Sequence, residues 1–207
     1  MINNMHQLLI ATHNTDKLSE IQQILQGSMW QTADLSEFQY YPPPIENGST
    51  LAQNALIKAR EGFNRTGLLT LADDTGLEID GLEGDPGVFS ARYAGENATY
   101  DMNCRKVLME LDAINSTNRT ARFRTVMALI GSEIEHCWEG VCEGMITCEP
   151  SGNSGFGYDP IFWSIELKRT FSEVTPLEKN RVSHRGRALR KLMAYLMEAE
   201  LPDLLRV

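Results

Sequence analysis

The stretch that decides the fold is Leu68-Leu69-Thr70-Leu71-Ala72-Asp73-Asp74-Thr75-Gly76-Leu77-Glu78-Ile79-Asp80. Its apolar run, Leu68 to Ala72, reads as a buried strand that ends abruptly at two adjacent carboxylates, Asp73 and Asp74. Leu77 to Asp80 alternates and predicts a separate short strand. From Thr75 to Gly95 glycines recur around a Pro86-Gly87 pair, so the backbone is expected to turn repeatedly and to approach a ligand closely. Carboxylates at the mouth of a strand suit a hard cation such as Mg²⁺ or a proton-transfer role. An acidic pair in isolation more often faces water, so its meaning depends on what surrounds it.

Upstream, Thr50-Leu51-Ala52-Gln53 matches a capping box opening a helix to about Phe63, with Leu51, Ala55, Leu56, Ala59 and Phe63 on one face and Asn64 to Gly67 as its stop. Pro42-Pro43-Pro44 reads as an extended linker. Gln7 to Ala11 predicts a first strand, followed by a helix over Lys17 to Gln26 capped by Asn14 or Thr15. Downstream, Thr99 caps a helix through Leu111. Thr120 to Gly131 reads as a strand with Arg122 and Arg124 on one side and Phe123 and Thr125 on the other. Ile134 to Cys148 reads as β structure broken by Gly140 and Gly144, and Ile161 to Trp163 as a short strand. Thr175-Pro176-Leu177-Glu178 starts a short helix, and Ser183 opens a final one with Leu189, Leu192, Met193 and Leu196 inward. The pattern predicts an α/β fold: a mixed β-sheet flanked by helices, one chain folded as two lobes.

At 207 residues the chain has ample material for a core, with an ordinary globular composition. No apolar run is long enough to span a membrane, and Met1 to Gln7 lacks the basic region of a secretory signal. Cys104, Cys137, Cys142 and Cys148 are too few for a disulfide framework and lack zinc-site spacing. Cys137, Cys142 and Cys148 are expected as small apolar fillers on strands, and the cysteine usage suits a reducing cytoplasm. A net charge of −9 argues against duplex nucleic acid as a partner. It leaves room for a small phosphorylated ligand wherever the few cations gather.

Three segments gather them. Thr12-His13-Asn14-Thr15-Asp16-Lys17 joins a strand to a helix, where backbone N–H groups and the helix dipole suit phosphate, although it is not a Walker A loop. Gly155-Phe156-Gly157-Tyr158-Asp159-Pro160 places an aromatic between glycines, able to present its face to a flat ring with Asp159 as an acceptor at the ring edge; a Phe156 tucked into the core fits the same residues. Lys179-Asn180-Arg181-Val182-Ser183-His184-Arg185-Gly186-Arg187 concentrates four cations and a histidine at a helix start, against the dipole, a conflict that an anionic or carbonyl-bearing ligand relieves. Nothing pairs His184 with a nucleophilic Ser or Cys.

Taken with Ala72-Asp73-Asp74-Thr75-Gly76-Leu77 and Pro86-Gly87 through Ser90-Ala91-Arg92-Tyr93, these motifs resemble in order and spacing the inosine triphosphate pyrophosphatase family, from residue 8 to about 197. The resemblance implies an elongated mixed-sheet α/β fold with a cleft between two lobes, Mg²⁺ dependence and a homodimer. It implies hydrolysis of non-standard purine nucleoside triphosphates (ITP, dITP, XTP) at the α-phosphorus, giving the monophosphate and pyrophosphate. Carried over by motif, the segment Thr12, His13, Asn14, Thr15, Asp16 and Lys17 holds phosphates. Asp74 is the general base and Thr75 a substrate contact, and Glu46 binds metal together with Asp74. Phe156, Gly157, Tyr158, Asp159, Lys179, His184 and Arg185 match the base-binding residues.

The sequence departs from the family at His13, where glycine is common and a positive φ would be strained, and at Gln53, where bacterial relatives often carry Glu. The residues suit the chemistry. A Mg²⁺-bound triphosphate needs cations on its oxygens, which Lys17, Lys179 and Lys58 can offer, carboxylates on the metal, and one carboxylate to orient water. Two adjacent carboxylates need a cation beside them to ionise together, which favours one of the pair as base. The competing readings are a Maf-type nucleotide pyrophosphatase acting on other nucleotides, against which the Ser-His-Arg-Gly and Phe-Gly-Tyr-Asp segments speak, and a nucleotide-binding protein without catalysis.

Overall fold

A computed structural model describes residues 6–38 and 41–198. The amino-terminal stretch weighed above as a targeting signal falls mostly on residues 1–5, outside the described residues. In chain order the regular elements are β1 (His6–Ile10), α1 (Thr15–Leu25), β2 (Trp30–Asp34), α2 (Leu51–Thr66), β3 (Thr70–Ile79), β4 (Pro86–Gly87), α3 (Tyr100–Ala113), β5 (Thr120–Ile130), β6 (Glu135–Ile146), β7 (Phe162–Ser164), β8 (Arg169–Thr170), α4 (Pro176–Val182) and α5 (His184–Glu198). The strands form one mixed sheet in the order β2-β1-β3-β5-β6-β7-β8, with β4 paired to β3 off that path. β1 runs parallel to both β2 and β3, whereas β3–β4, β6–β7 and β7–β8 are antiparallel. Among the described residues no helix is long and apolar enough to cross a membrane.

The chain divides into two compact units, residues 1–74, 126–139 and 188–207, and residues 75–125 and 140–187. Each has its own core. In the first, Leu8 and Ile10 of β1, Leu69 just before β3 and Leu71 of β3 pack with Ile21 and Leu25 of α1 and with Leu189, Leu192 and Leu196 of α5. β1 is apolar at three successive positions because it is flanked by parallel neighbours and buried on both faces. In the second, Leu77 and Ile79 pack with Val107 and Leu111 of α3, Phe123 of β5, Phe162 of β7 and Phe171. The Phe123 and Phe162 rings meet tilted at 53° with centroids 4.5 Å apart, a favourable aromatic geometry.

Helix starts follow their caps. Asn14, not Thr15, caps α1, and Thr99 and Thr175 cap α3 and α4. Thr50 caps α2 by accepting from Gln53 N, but the reciprocal half of the expected box is missing: the Gln53 side chain accepts from Ser49 N instead. Leu56 and Phe63 are only half-buried on α2, whose buried face instead includes Asn54 and Gly62.

Three expectations are corrected. The strand read as ending at Asp73 continues through both carboxylates, Thr75 and Gly76 to Ile79, so the separate short strand is its second half. Local turn chemistry loses there to pairing, since β4 bonds to Leu77 and Glu78 and the Ser90 hydroxyl accepts from Leu77 N at 2.9 Å. β6 is likewise continuous through Gly140 and Gly144. Gly144 is there for close packing: a Cβ would stand 2.8 Å from Cε2 of Phe162 on the neighbouring strand. The cysteines are not uniformly strand fillers. Cys142 is buried on β6, but Cys137 and Cys148 are exposed.

Candidate active site

The residues expected to handle phosphate and metal belong to the first unit, apart from Lys179, which lies in the second. After β1 the chain turns into α1 through Thr12 and Asn14. Thr12 Oγ1 accepts from Asn14 N at 3.2 Å, and Asn14 Oδ1 accepts from the backbone N–H groups of Asp16 and Lys17, both at 3.0 Å. Asn14 is thereby used as a cap that fixes the loop geometry. His13 and Thr15 are exposed. His13 lies outside the left-handed region, so its replacement of a family glycine carries no backbone strain, and its ring sits 5.8 Å from that of Tyr41.

Because neighbouring strand residues alternate faces, Asp73 and Asp74 take different lysines. Lys17 Nζ lies 3.1 Å from Asp73 Oδ2, and Lys58 Nζ lies 2.7 Å from Asp74 Oδ1. Each carboxylate of the adjacent pair thus has its own cation beside it. Lys58 also reaches Glu46 Oε2 at 3.3 Å. Burial works against its charge, but Asp74, Asp73 and Glu46 outweigh that and hold the ammonium above the usual lysine range. Asn54 completes the group: its Nδ2 donates to Asp74 Oδ2 at 3.3 Å.

Glu46 and Asp74 thus converge on one ammonium, offering hard oxygen donors. Among the described residues no group of three His, Cys, Asp or Glu is disposed to hold a metal ion. Two carboxylates would suit a hard divalent cation that keeps several waters, since such ions need no all-protein cage.

The residues expected to read a base belong to the second unit. Thr75 bonds its hydroxyl to that of Thr125 and accepts from Arg185 Nη2 at 3.2 Å. Arg185 is only 1% exposed, with its guanidinium 5.8 Å from the Phe156 centroid. Lys179 Nζ stands 4.5 Å from the same centroid and 2.5 Å from Asp159 Oδ2, which also accepts from Phe156 N at 2.9 Å. Asp159 therefore braces Phe156 and Lys179. Phe156 is half-buried and keeps part of its ring accessible.

Tyr158 and His184 are placed differently from the expectation of ring contact. Tyr158 is buried, its hydroxyl donates to Ser90 O at 2.8 Å, and burial drives its acidity far down. His184 is buried and stacked on Phe123, with centroids 4.6 Å apart and planes 20° apart. The dipole conflict expected of the basic segment is also relieved inside the protein. Lys179 and Arg181 lie in the last turn of α4, where positive charge is favourable, and Arg187 donates to Val141 O and pairs with Glu166.

The sequence model of the Ham1 family matches residues 8–195. The chain belongs to the Ham1 family. It is 45% identical over 200 residues to the dITP/XTP pyrophosphatase of Coxiella burnetii, covering 95% of this chain and 100% of that protein. It is 44% identical over 191 residues to the dITP/XTP pyrophosphatase of Desulforamulus reducens, covering 92% and 95%. Among solved Ham1 structures, that of the Coxiella burnetii protein matches with a TM-score of 0.86 at 44% identity, over 94% of this chain and 100% of that one. The Staphylococcus aureus Ham1 protein matches with a TM-score of 0.83 at 34% identity, over 92% and 98%. In this Ham1 chain the reading of motifs alone missed Asn54 and Thr125. Asn54 left one signal, a polar residue on the buried face of an amphipathic helix.

Proposed function

We propose that the chain hydrolyses non-standard purine nucleoside triphosphates (ITP, dITP and XTP) to the nucleoside monophosphate and pyrophosphate, as a cytoplasmic Mg²⁺-dependent homodimer folded as one two-lobed domain. The observation that carries the reading is the Asp74 carboxylate, oriented by Lys58 and Asn54 beside Glu46 in a Ham1 chain. Relatives named dITP/XTP pyrophosphatase support the substrate class.

In this reading the loop of Thr12, Asn14 and Lys17 binds the phosphates. Its N–H groups and the start of α1 favour an anion, and Lys17 exchanges Asp73 for a phosphate oxygen. Glu46 and Asp74 would hold the divalent ion, which would neutralise phosphate charge and polarise the phosphorus centre. Asp74 orients a water and accepts its proton as the water oxygen attacks the α-phosphorus and pyrophosphate leaves. Lys58 pairs with Asp74 and brings positive charge to the site. Phe156 stacks on the base under the bracing of Asp159 and Lys179.

In this reading Arg185 presents donors to the base, and His184 is held by its stacking on Phe123. Hypoxanthine and xanthine carry a 6-keto acceptor where adenine carries an amino donor, so ATP is rejected by donors facing a donor. A panel of ITP, dITP, XTP, ATP, GTP and TTP, with products resolved by chromatography with Mg²⁺ and with EDTA, tests the reaction. Pyrophosphate from ITP, dITP and XTP is expected, and release of orthophosphate alone would refute it. Light scattering tests the dimer.

A further inference from the structure

We infer that Asn54 is a positioning residue for the hydrolysis, fixing the orientation of Asp74 and tying it to the segment that carries Glu46; this rests on the hydrolase reading above. Asn54 occupies the first turns of α2 and is 1% exposed. Asparagine is a mediocre helix former, and a buried amide is costly unless its polar atoms are bonded. Here both ends are used. Oδ1 accepts from Gly48 N at 2.9 Å, and Nδ2 donates to Asp74 Oδ2 at 3.3 Å. The first bond settles the orientation of the second. An amide oxygen must face the backbone N–H of Gly48, which turns the amide nitrogen to the carboxylate.

Lys58 lies four residues on, on the same helical face, and bonds the other oxygen of Asp74, Oδ1. The two α2 side chains therefore hold the carboxylate at both oxygens, one by a cation and one by a neutral donor. Gly48 is two residues beyond Glu46, so the amide also draws in the chain that brings the second carboxylate to Lys58. The approach is close enough to exclude a side chain at position 48: a Cβ there would stand 2.5 Å from Asn54 Oδ1 and 2.7 Å from Gln53 Cβ.

The test uses the full chain and two substitutions. Asn54→Asp is nearly isosteric and keeps an acceptor for Gly48 N, but replaces the donor to Asp74 with an acceptor. Asn54→Ala loses both bonds. For Asn54→Asp the expected result is a kcat for ITP lowered about 10- to 100-fold, the scale of a misplaced catalytic group. The affinity for a non-hydrolysable α,β-methylene analogue of ITP should stay close to that of the parent, whereas the melting temperature should fall because a second carboxylate is buried against Asp74. Asn54→Ala should lose kcat to a similar degree and, in addition, stability. A parent-like kcat in either variant would overturn the assignment. So would a loss of analogue affinity as large as the loss of kcat in both, because Asn54 would then act on binding alone. A parent that released pyrophosphate from no triphosphate in the panel would overturn the hydrolase reading and this role with it. An active parent with unaffected variants overturns only the role of Asn54.

Discussion

Replacing Lys179 with Met should loosen the second unit through one carboxylate. Lys179 Nζ lies 2.5 Å from Asp159 Oδ2, and the two side chains are 6% and 2% exposed. The Met side chain keeps most of the aliphatic volume, so the main change is that the Asp159 charge loses its nearest countercharge while it stays buried. Breaking a buried pair from one side costs about 3–5 kcal/mol. The ammonium also sits 4.5 Å and 5.4 Å from the centroids of Phe156 and Phe171, contacts that add about 0.5–2 kcal/mol. With a urea slope of about 2 kcal/mol per molar, a loss of about 4 kcal/mol lowers the unfolding midpoint by roughly 2 M. Urea unfolding followed by circular dichroism reads this directly. The double variant with Asp159→Asn removes the stranded charge and should recover about half the loss or more, giving a clear coupling in the cycle. A midpoint within about 0.3 M of the parent for Lys179→Met, or strict additivity in the cycle, would show that the pair does not brace the Phe156 loop.

Other outcomes follow from the same geometry. Asp74→Asn should lower kcat for ITP by about 100-fold or more, with analogue binding retained; near-parent turnover would move the base role to Asp73. The parent should prefer ITP to ATP by about 10- to 100-fold, and Arg185→Lys should compress that ratio, as measured by competing the two triphosphates. An equal kcat/KM for ITP and ATP in the parent would refute base reading by Arg185. Burial pushes the Cys104 thiol up to about 12 and the Cys142 thiol up to about 11, so iodoacetamide at pH 8 should spare both and label the exposed Cys137 and Cys148. A thiol raised by folding contributes stability below its unfolded value, about 8.5. That contribution is lost as pH rises from there through the folded values, so urea midpoints should fall between pH 8 and pH 10, and a flat profile would count against the buried thiols as its cause.

Much of this architecture was legible in the sequence because it is written in local chemistry. Asn14, Thr99 and Thr175 announce their helices through side-chain oxygens aimed at the next turn, a signal only a few residues long. Where the reading failed, the deciding contact lies far along the chain. Asp-Asp-Thr-Gly has no strand preference of its own and is extended because β3 is paired. Gly144 looks like a break until Phe162 is known to lie against it. The site divides in the same way. Lys17 and Glu46 belong to recognisable motifs, whereas the partnership of Asn54 and Lys58 with Asp74 joins residues 20 and 16 positions apart and needs the helix face to be seen against the strand.

The division of the chain into two units has a consequence for anyone who would take the enzyme apart. The chain passes from one unit to the other between Asp74 and Thr75, Thr125 and Val126, Glu139 and Gly140, and Arg187 and Ala188. Each of these junctions lies inside a regular element, β3, β5, β6 or α5. No linker exists at any of them to accept a cut, a tag or a transplanted segment without severing a strand or a helix. Neither unit is encoded by a continuous stretch, so neither can be expressed by truncation or exchanged between relatives with a single crossover. At the first junction the proposed proton acceptor and the threonine bonded to Arg185 are consecutive residues, which makes that peptide bond the least dispensable place to splice.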